Sequence, residues 1–259
     1  MFKRIFIVCA VLALFGSGCQ NPMNPQSPTS TKAASSEPSW ENVAPDISRY
    51  ECGADVCGAR LIIYRFAKDK FAWRFENRAA PSTVEAWANS LPQAVFITNG
   101  VFFNEKWQPT GLLKTSGALA NDLKYDLGKS GLLELSPAVA VIDTAAEKIN
   151  LEKITEAAQS FPLLIKNGIP ITSFKDQKAA RRTFIGTDKN GDIYIGAVPE
   201  DAITFVDLAK LLAKTDVAWN NVLNLDGGTS TGFSVHAGDY EETMNSIVQV
   251  PNVIVAERK

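Results

Sequence analysis

Histidine is almost missing from this chain, basic residues never cluster, and no apolar run is long. Each shortage removes a class of function. A single histidine, His236, stands among 259 residues. That is too few for a His-rich two-metal centre, and nothing near it suggests a Ser-His-Asp arrangement; His236 reads as a surface residue. The formal charge is −2, with lysine and arginine scattered, so no positive stripe offers itself to nucleic acid. No segment repeats at a fixed period. The longest N-terminal apolar run, Ile5 to Phe15, is too short to span a bilayer comfortably.

That run follows the basic pair Lys3 and Arg4 and leads through Gly16-Ser17-Gly18 to Cys19. Residues 1–19 therefore read as a targeting segment rather than as fold. The pattern resembles a bacterial lipoprotein signal in which Cys19 is lipidated after cleavage. It departs from the usual lipobox at Gly16, where leucine is typical, so plain cleavage near Gly18 is the alternative. Either way the mature chain lies outside the cytoplasm, facing the periplasm or cell exterior. With lipid on Cys19 it would be firmly anchored to the membrane. Residues 20–45 are rich in Pro, Ser, Thr, Asn and Ala and bury too little apolar surface to order themselves; they read as a disordered tether. Residues 46–259 remain as one domain with an ample core.

The four cysteines agree with export. Cys9 leaves with the signal and Cys19 would carry lipid. Cys52 and Cys57 remain, five residues apart, and an oxidising compartment favours a small-loop disulfide between them. A metal site at this pair would need more ligands than the chain provides nearby.

Along the domain, Leu61–Phe66 and Phe71–Phe75 read as strands joined by a hairpin loop, with Phe71, Trp73 and Phe75 alternating onto a buried face. Ser82 and Glu85 have capping-box spacing for a helix that Pro92 ends. Ala94–Thr98 is a short apolar strand ending at Asn99-Gly100. Residues 118–130 read as an irregular polar stretch, Gly131–Leu135 and Ala138–Ile142 as strands, and Glu152–Ser160 as a short helix. Asn167-Gly168 marks a hairpin whose second strand Pro170 pushes to an edge. Asp188 to Asp192 resembles the start of a calcium loop but lacks the closing glutamate, so a hairpin turn is the better reading. Thr204 opens the clearest helix, with Phe205, Leu208, Ala209 and Leu212 on one face. Strands outnumber helices, which suggests an α+β domain on a mixed, mostly antiparallel sheet with flanking helices.

The chemistry concentrates in Asn224-Leu225-Asp226-Gly227-Gly228-Thr229-Ser230-Thr231-Gly232. An apolar strand delivers one carboxylate into a turn of small residues, and two glycines permit close backbone approach to a ligand. Consecutive N–H groups in such a loop can form a concave anion site. The plainer reading is a tight turn closed by an Asx bond from Asp226.

Five segments together resemble the phosphodiester glycosidase family. They are Asn99-Gly-Val-Phe-Phe103, Gly111-Leu-Leu113, Pro162-Leu-Leu-Ile-Lys-Asn-Gly168, Arg182-Thr-Phe-Ile-Gly186 and Leu225-Asp-Gly-Gly-Thr-Ser230. They occur in the family's order and span most of the domain. Val101 and Thr229 stand where the family has glycine, which alters the cradle. The resemblance implies hydrolysis of the bond between an anomeric carbon and a phosphodiester, on a glycan or glycoconjugate substrate. Asp226 would act as nucleophile or base, Arg182 would fork a phosphate, and Asn99 would bind a sugar hydroxyl or orient water. Gly100, Lys114, Thr183, Gly227, Gly228, Thr229 and Ser230 would line the substrate. Against these stand a surface ion pair for Arg182, a capped turn for Asn99, and Glu105 as a possible second carboxylate. Two other functions stay open: a non-catalytic glycan-binding lipoprotein, and a phosphodiesterase using an all-oxygen calcium or magnesium site.

Overall fold

A computed structural model describes residues 38–124, 130–175 and 178–259, excluding the side chains of 201 and 202. The targeting segment, Cys19, residues 20–37 of the expected tether and residues 125–129 of the polar stretch lie outside the described residues. The first elements are β1 (Trp40–Ala44), β2 (Ile47–Cys52), α1 (Ala54–Cys57), β3 (Leu61–Phe66), β4 (Phe71–Ser82), α2 (Val84–Ser90) and β5 (Phe96–Asn99). Then come β6 (Leu113–Thr115), β7 (Ala118–Asn121), β8 (Gly131–Ser136), β9 (Ala140–Asp143), β10 (Glu156–Ser160), β11 (Leu163–Lys166) and β12 (Ile169–Pro170). The last are β13 (Ala180–Asp188), β14 (Ile193–Ile203), α3 (Phe205–Leu212), β15 (Trp219–Asn224), β16 (Phe233–Ala237), β17 (Tyr240–Met244) and β18 (Val250–Arg258).

The strands form three sheets. An eight-stranded sheet runs β1-β2-β3-β14-β13-β15-β11-β12, and two five-stranded sheets run β7-β6-β10-β8-β9 and β17-β16-β5-β18-β4. The pairings among the described residues are antiparallel. The fold is thus sheet-rich with few helices, more β than an α+β reading suggests. Its main core lies where the inner faces of all three sheets meet, with Tyr64, Ile185 and Leu223 from the first, Leu133 and Ala158 from the second, and Phe96 and Ile254 from the third. The outer face of the eight-stranded sheet packs Phe184, Tyr194 and Val222 under Leu208, Ala209 and Leu212 of α3. Helix α2 covers the third sheet through Val84 and Trp87.

Several sequence expectations change here for tertiary reasons. Strands β3 and β4 are not a hairpin: β3 pairs with β2 and β14, whereas β4 pairs with β18 in another sheet. The aromatic stripe is core, as its alternation indicates. Phe71 and Trp73 meet Phe66 edge-on across the two sheets, at 5.3 and 5.1 Å between ring centroids. Glu152–Ser160 is not a helix. A 3-10 turn at Leu151–Lys153 leads into β10, a strand held between β6 and β8. Fully buried Ala157 and Ala158 let the layers approach there, and packing overrides alanine's helix propensity. Thr83, not Ser82, caps α2, accepting from Ala86 N–H at 3.3 Å. Glu85 accepts instead from the Asn245 amide at 2.9 Å.

Other expectations stand. Asn167 and Gly168 have φ of 50° and 81°, as a two-residue hairpin turn requires. The Asp188 carboxylate closes its turn by accepting from the N–H groups of Asn190 and Asp192, each at 2.9 Å. Thr204 caps α3 through Asp207 N–H. Cys52 and Cys57 form a disulfide. Within residues 20–45, expected as tether, Trp40–Ala44 is a strand. Trp40 packs on Tyr50 at 5.4 Å and donates to Asp216 Oδ1 at 2.9 Å.

Candidate active site

The eight-stranded sheet and the sheet of β5 and β18 bring two turns together. One is Asn99-Gly100-Val101 at the end of β5; the other is the 225–232 loop after β15. The backbone stitches the loop on both sides. Leu225 N–H donates to Thr183 O at 2.8 Å, Asp226 N–H to Gly100 O at 3.1 Å, and Asn99 N–H to Gly232 O at 3.2 Å. The far end is pinned where Ile247 N–H donates to Thr229 O at 2.8 Å. A flexible-looking string of small residues is thereby held on three sides.

Asn99 is the centre of that stitching. Its side chain is fully buried. Its Nδ2 donates to Asp226 O at 2.7 Å, and its Oδ1 accepts from Thr183 Oγ1 at 2.9 Å and Gly232 N–H at 3.1 Å. The second Nδ2–H faces Gly100 O at 3.5 Å, so the amide of Asn99 is engaged within the protein, and Asn99 and Thr183 position the loop. Gly100 has a similar explanation. A Cβ there would lie 2.0 Å from Asn252 Oδ1. Asn252, buried in β18, accepts from Gly100 N–H through its carbonyl at 3.0 Å and from Val101 N–H through Oδ1 at 2.7 Å. Sequence reasoning missed Asn252, although a lone amide inside the apolar run Val250–Ala256 was the available signal.

Asp226 sits on this platform. Burial pushes its carboxyl up from 3.8 to about 6, against the opposing pull of hydrogen bonds from the Ser230 hydroxyl and Gly227 N–H. Gly227 N–H donates to Asp226 Oδ1 at 2.9 Å. The turn's other amides divide cleanly. Those of Ser230 and Thr231 donate to Gly227 O and Gly228 O, whereas the Gly228 and Thr229 N–H groups bond no described residue. Gly228 has φ 59°, a conformation that suits glycine. A Cβ at Gly227 would lie 2.9 Å from Arg181 O, so the loop lies directly against β13. Beside it, Phe102 and Phe161 stack at 4.5 Å, and Phe161 O accepts from Asn224 Nδ2 at 2.9 Å.

Two expected contacts are elsewhere. Arg182 is on the opposite face of β13, where its Nε donates to Ile203 O at 3.3 Å, its Nη2 donates to Lys178 O at 2.6 Å, and its guanidinium lies 3.8 Å over the Phe205 ring. The neighbour Arg181 faces the loop and donates to Thr231 O at 2.9 Å. Strand alternation decides this, since one residue changes the face. Lys114 Nζ donates to Leu151 O at 2.7 Å, beside the 3-10 turn. Glu105 is exposed in the 104–107 turn and His236 is exposed on β16. Of the two departures from glycine, Val101 buries its side chain in the main core and Thr229 is exposed. Among the described residues no three of His, Cys, Asp and Glu gather as a metal ligand set.

The phosphodiester glycosidase family model matches residues 92–257. This chain belongs to the phosphodiester glycosidase family. Both turns and Asn252 fall inside the matched segment. A search of curated proteins finds no significant sequence match. Among solved structures, the catalytic domain of zebrafish N-acetylglucosamine-1-phosphodiester alpha-N-acetylglucosaminidase, auto-inhibited by its pro-peptide, is similar at TM-score 0.57 and 13% identity, covering 86% of this chain and 82% of that one. A hypothetical protein from Synechocystis is similar at TM-score 0.58 and 14% identity; the match covers 86% of this chain and 64% of the Synechocystis protein's length. At these identities the likeness is one of fold.

Proposed function

We propose that this member hydrolyses the bond between an anomeric carbon and a phosphodiester in glycans or glycoconjugates of the cell envelope or its surroundings. The observation that carries the reading is Asp226, a recessed carboxyl displayed on a loop that Asn99, Thr183 and Gly100 hold still. In the reaction, the C1–O bond breaks, water supplies the new C1 hydroxyl, and the other product leaves as a phosphate monoester. That leaving group is stable as an anion, so the chief need is to support positive charge at C1 and to deliver the nucleophile. Ionised Asp226 either attacks C1 directly or draws a proton from water. The Gly228 and Thr229 N–H groups would donate to a phosphate oxygen. A sited nucleophile on a rigid loop is what proximity catalysis requires.

We also infer that the chain is exported and held to a membrane by lipid on Cys19. The signal-like residues 1–19 and the Cys52–Cys57 disulfide support this reading.

The deciding experiment incubates the purified protein with a panel of sugar-1-phosphodiesters and nucleotide sugars, with and without chelator. Free sugar as product, lost in Asp226→Asn, is expected. Sugar 1-phosphate as product would mean cleavage of the other ester bond and would overturn the reading. Binding of the panel without any turnover would make this a glycan-binding protein.

A further inference from the structure

The Asn99–Asn104 segment leaves the carboxylate loop and runs straight into a second feature. Beyond Phe103 the chain closes a compact turn. Asn104 N–H donates to Gln108 O at 2.8 Å, Trp107 N–H donates to Asn104 O at 2.9 Å, and Asn104 Oδ1 accepts from the N–H groups of Lys106 and Gln108 at 2.9 and 3.1 Å. This bonding holds Trp107 at φ 62°, a region that bulky side chains avoid. The ring stacks on Phe103 at 5.4 Å with planes 28° apart, yet Trp107 remains 38% exposed. It lines an open cavity of about 490 Å³ together with Asn77, Arg78, Asn104, Lys106 and Gln108. That volume falls within the roughly 300–1,000 Å³ typical of small-ligand sites.

A strained backbone that presents an aromatic ring is a candidate for function rather than packing. The lining chemistry narrows the ligand. An apolar or peptide ligand would want more apolar wall than Trp107 with Ala79, Pro109 and Ala120 supplies, and a bare phosphate would want a denser set of cations. One flat ring beside exposed Asn77 and Gln108 amides suits the apolar C–H face and the hydroxyl edge of a pyranose. Exposed Lys106 would tolerate negative charge on the chain; Arg78, which also lines the cavity, is engaged by Ser90 Oγ and the Trp87 ring. We propose that this groove binds a run of sugars in the glycan that carries the scissile phosphodiester, making the substrate an oligosaccharide or polysaccharide rather than a small glycoside. The proposal rests on the hydrolytic reading of Asp226 only for what is done to the bound glycan; binding itself does not depend on it. Because Gly100 O accepts from Asp226 N–H, a chain seated on Trp107 would rest on the same rigid segment that supports the carboxylate.

The test uses the full chain carrying Asp226→Asn, titrated calorimetrically with mannohexaose, cellohexaose and chitohexaose. The key variant is Trp107→Gly, which deletes the ring and also suits the positive φ, so its melting temperature should not fall. The expected result is saturable binding of at least one hexasaccharide, weakened at least tenfold by Trp107→Gly. No binding to any of the three, or binding that Trp107→Gly leaves unchanged, would overturn the proposal. In the catalytically intact chain, Trp107→Gly should leave kcat/KM for any small sugar-1-phosphodiester that the chain cleaves within about twofold. If no phosphodiester of the panel is cleaved while hexasaccharides still bind through Trp107, the hydrolytic reading fails and the groove stands.

Discussion

Asp226 makes the folded state weaker at neutral pH. Its folded pKa, raised from 3.8 to about 6 by burial, means that the native state binds a proton more tightly than the unfolded chain. The contribution of Asp226 to stability is therefore fully present below about pH 4 and is lost as pH rises through 6. Asp226→Asn removes the penalty, so its melting temperature should exceed the parent's by a few degrees at pH 8, with the gain vanishing near pH 4; calorimetry at both pH values checks this. Activity should show the opposite trend: kcat rises as pH passes 6 and then levels, because the ionised form attacks or accepts the proton. A rate that falls above pH 6 would make Asp226 the acid instead. Asn99 is the other decisive residue. Asn99→Ala leaves Asp226 O, Thr183 Oγ1 and Gly232 N–H without their partner inside the protein. The cost should be about 2–4 kcal/mol in denaturant titration, with kcat falling as well because the loop loosens.

At the scale of elements, β13 determines which arginine serves which side. Read as a motif, Arg182-Thr183 resembles a phosphate fork; read as a strand, it places Arg182 under α3 and Arg181 against the loop. Arg182→Lys should therefore cost about 1–2 kcal/mol of stability, through lost carbonyl bonds and the contact with Phe205, while kcat/KM stays within about threefold. A loss of two orders of magnitude in kcat/KM with normal stability would return Arg182 to the phosphate. Several strands were legible: period-two alternation in Phe71–Phe75 reports one buried face, and Leu61–Phe66 and Gly131–Leu135 are short apolar runs. Their partners were not. The Phe66–Phe71 connection is as short as a hairpin, yet it crosses between sheets. β10 has alanine and glutamate that favour a helix until two neighbouring strands claim it.

At the scale of the molecule, the eight-stranded sheet begins earlier than composition suggests. The polar stretch before residue 46 looks like uninterrupted tether, but Trp40 supplies an anchor against Tyr50 and Tyr194 and pairs β1 along β2. A fragment of residues 46–259 would lose that strand and expose the β2 edge. Compared with residues 38–259, it should melt several degrees lower and aggregate more readily on heating, because an open strand edge invites pairing. Equal melting curves would show β1 to be dispensable.

The amino-acid sequence by itself determined many of the strands, the α3 helix with its Thr204 cap, the Asn167-Gly168 turn and the loop that displays Asp226. Each is a local matter of alternation, capping or glycine, and is written in consecutive residues. Only the tertiary structure decided what those pieces do together. Gly100 must be glycine because Asn252, far away in the chain, occupies the space a Cβ would need. Asn99 is a strut because three distant partners converge on its amide. Val101 replaces a glycine without filling the cradle because its side chain turns into the core. Burial, and with it the raised pKa of Asp226, comes from residues that are neighbours only in space.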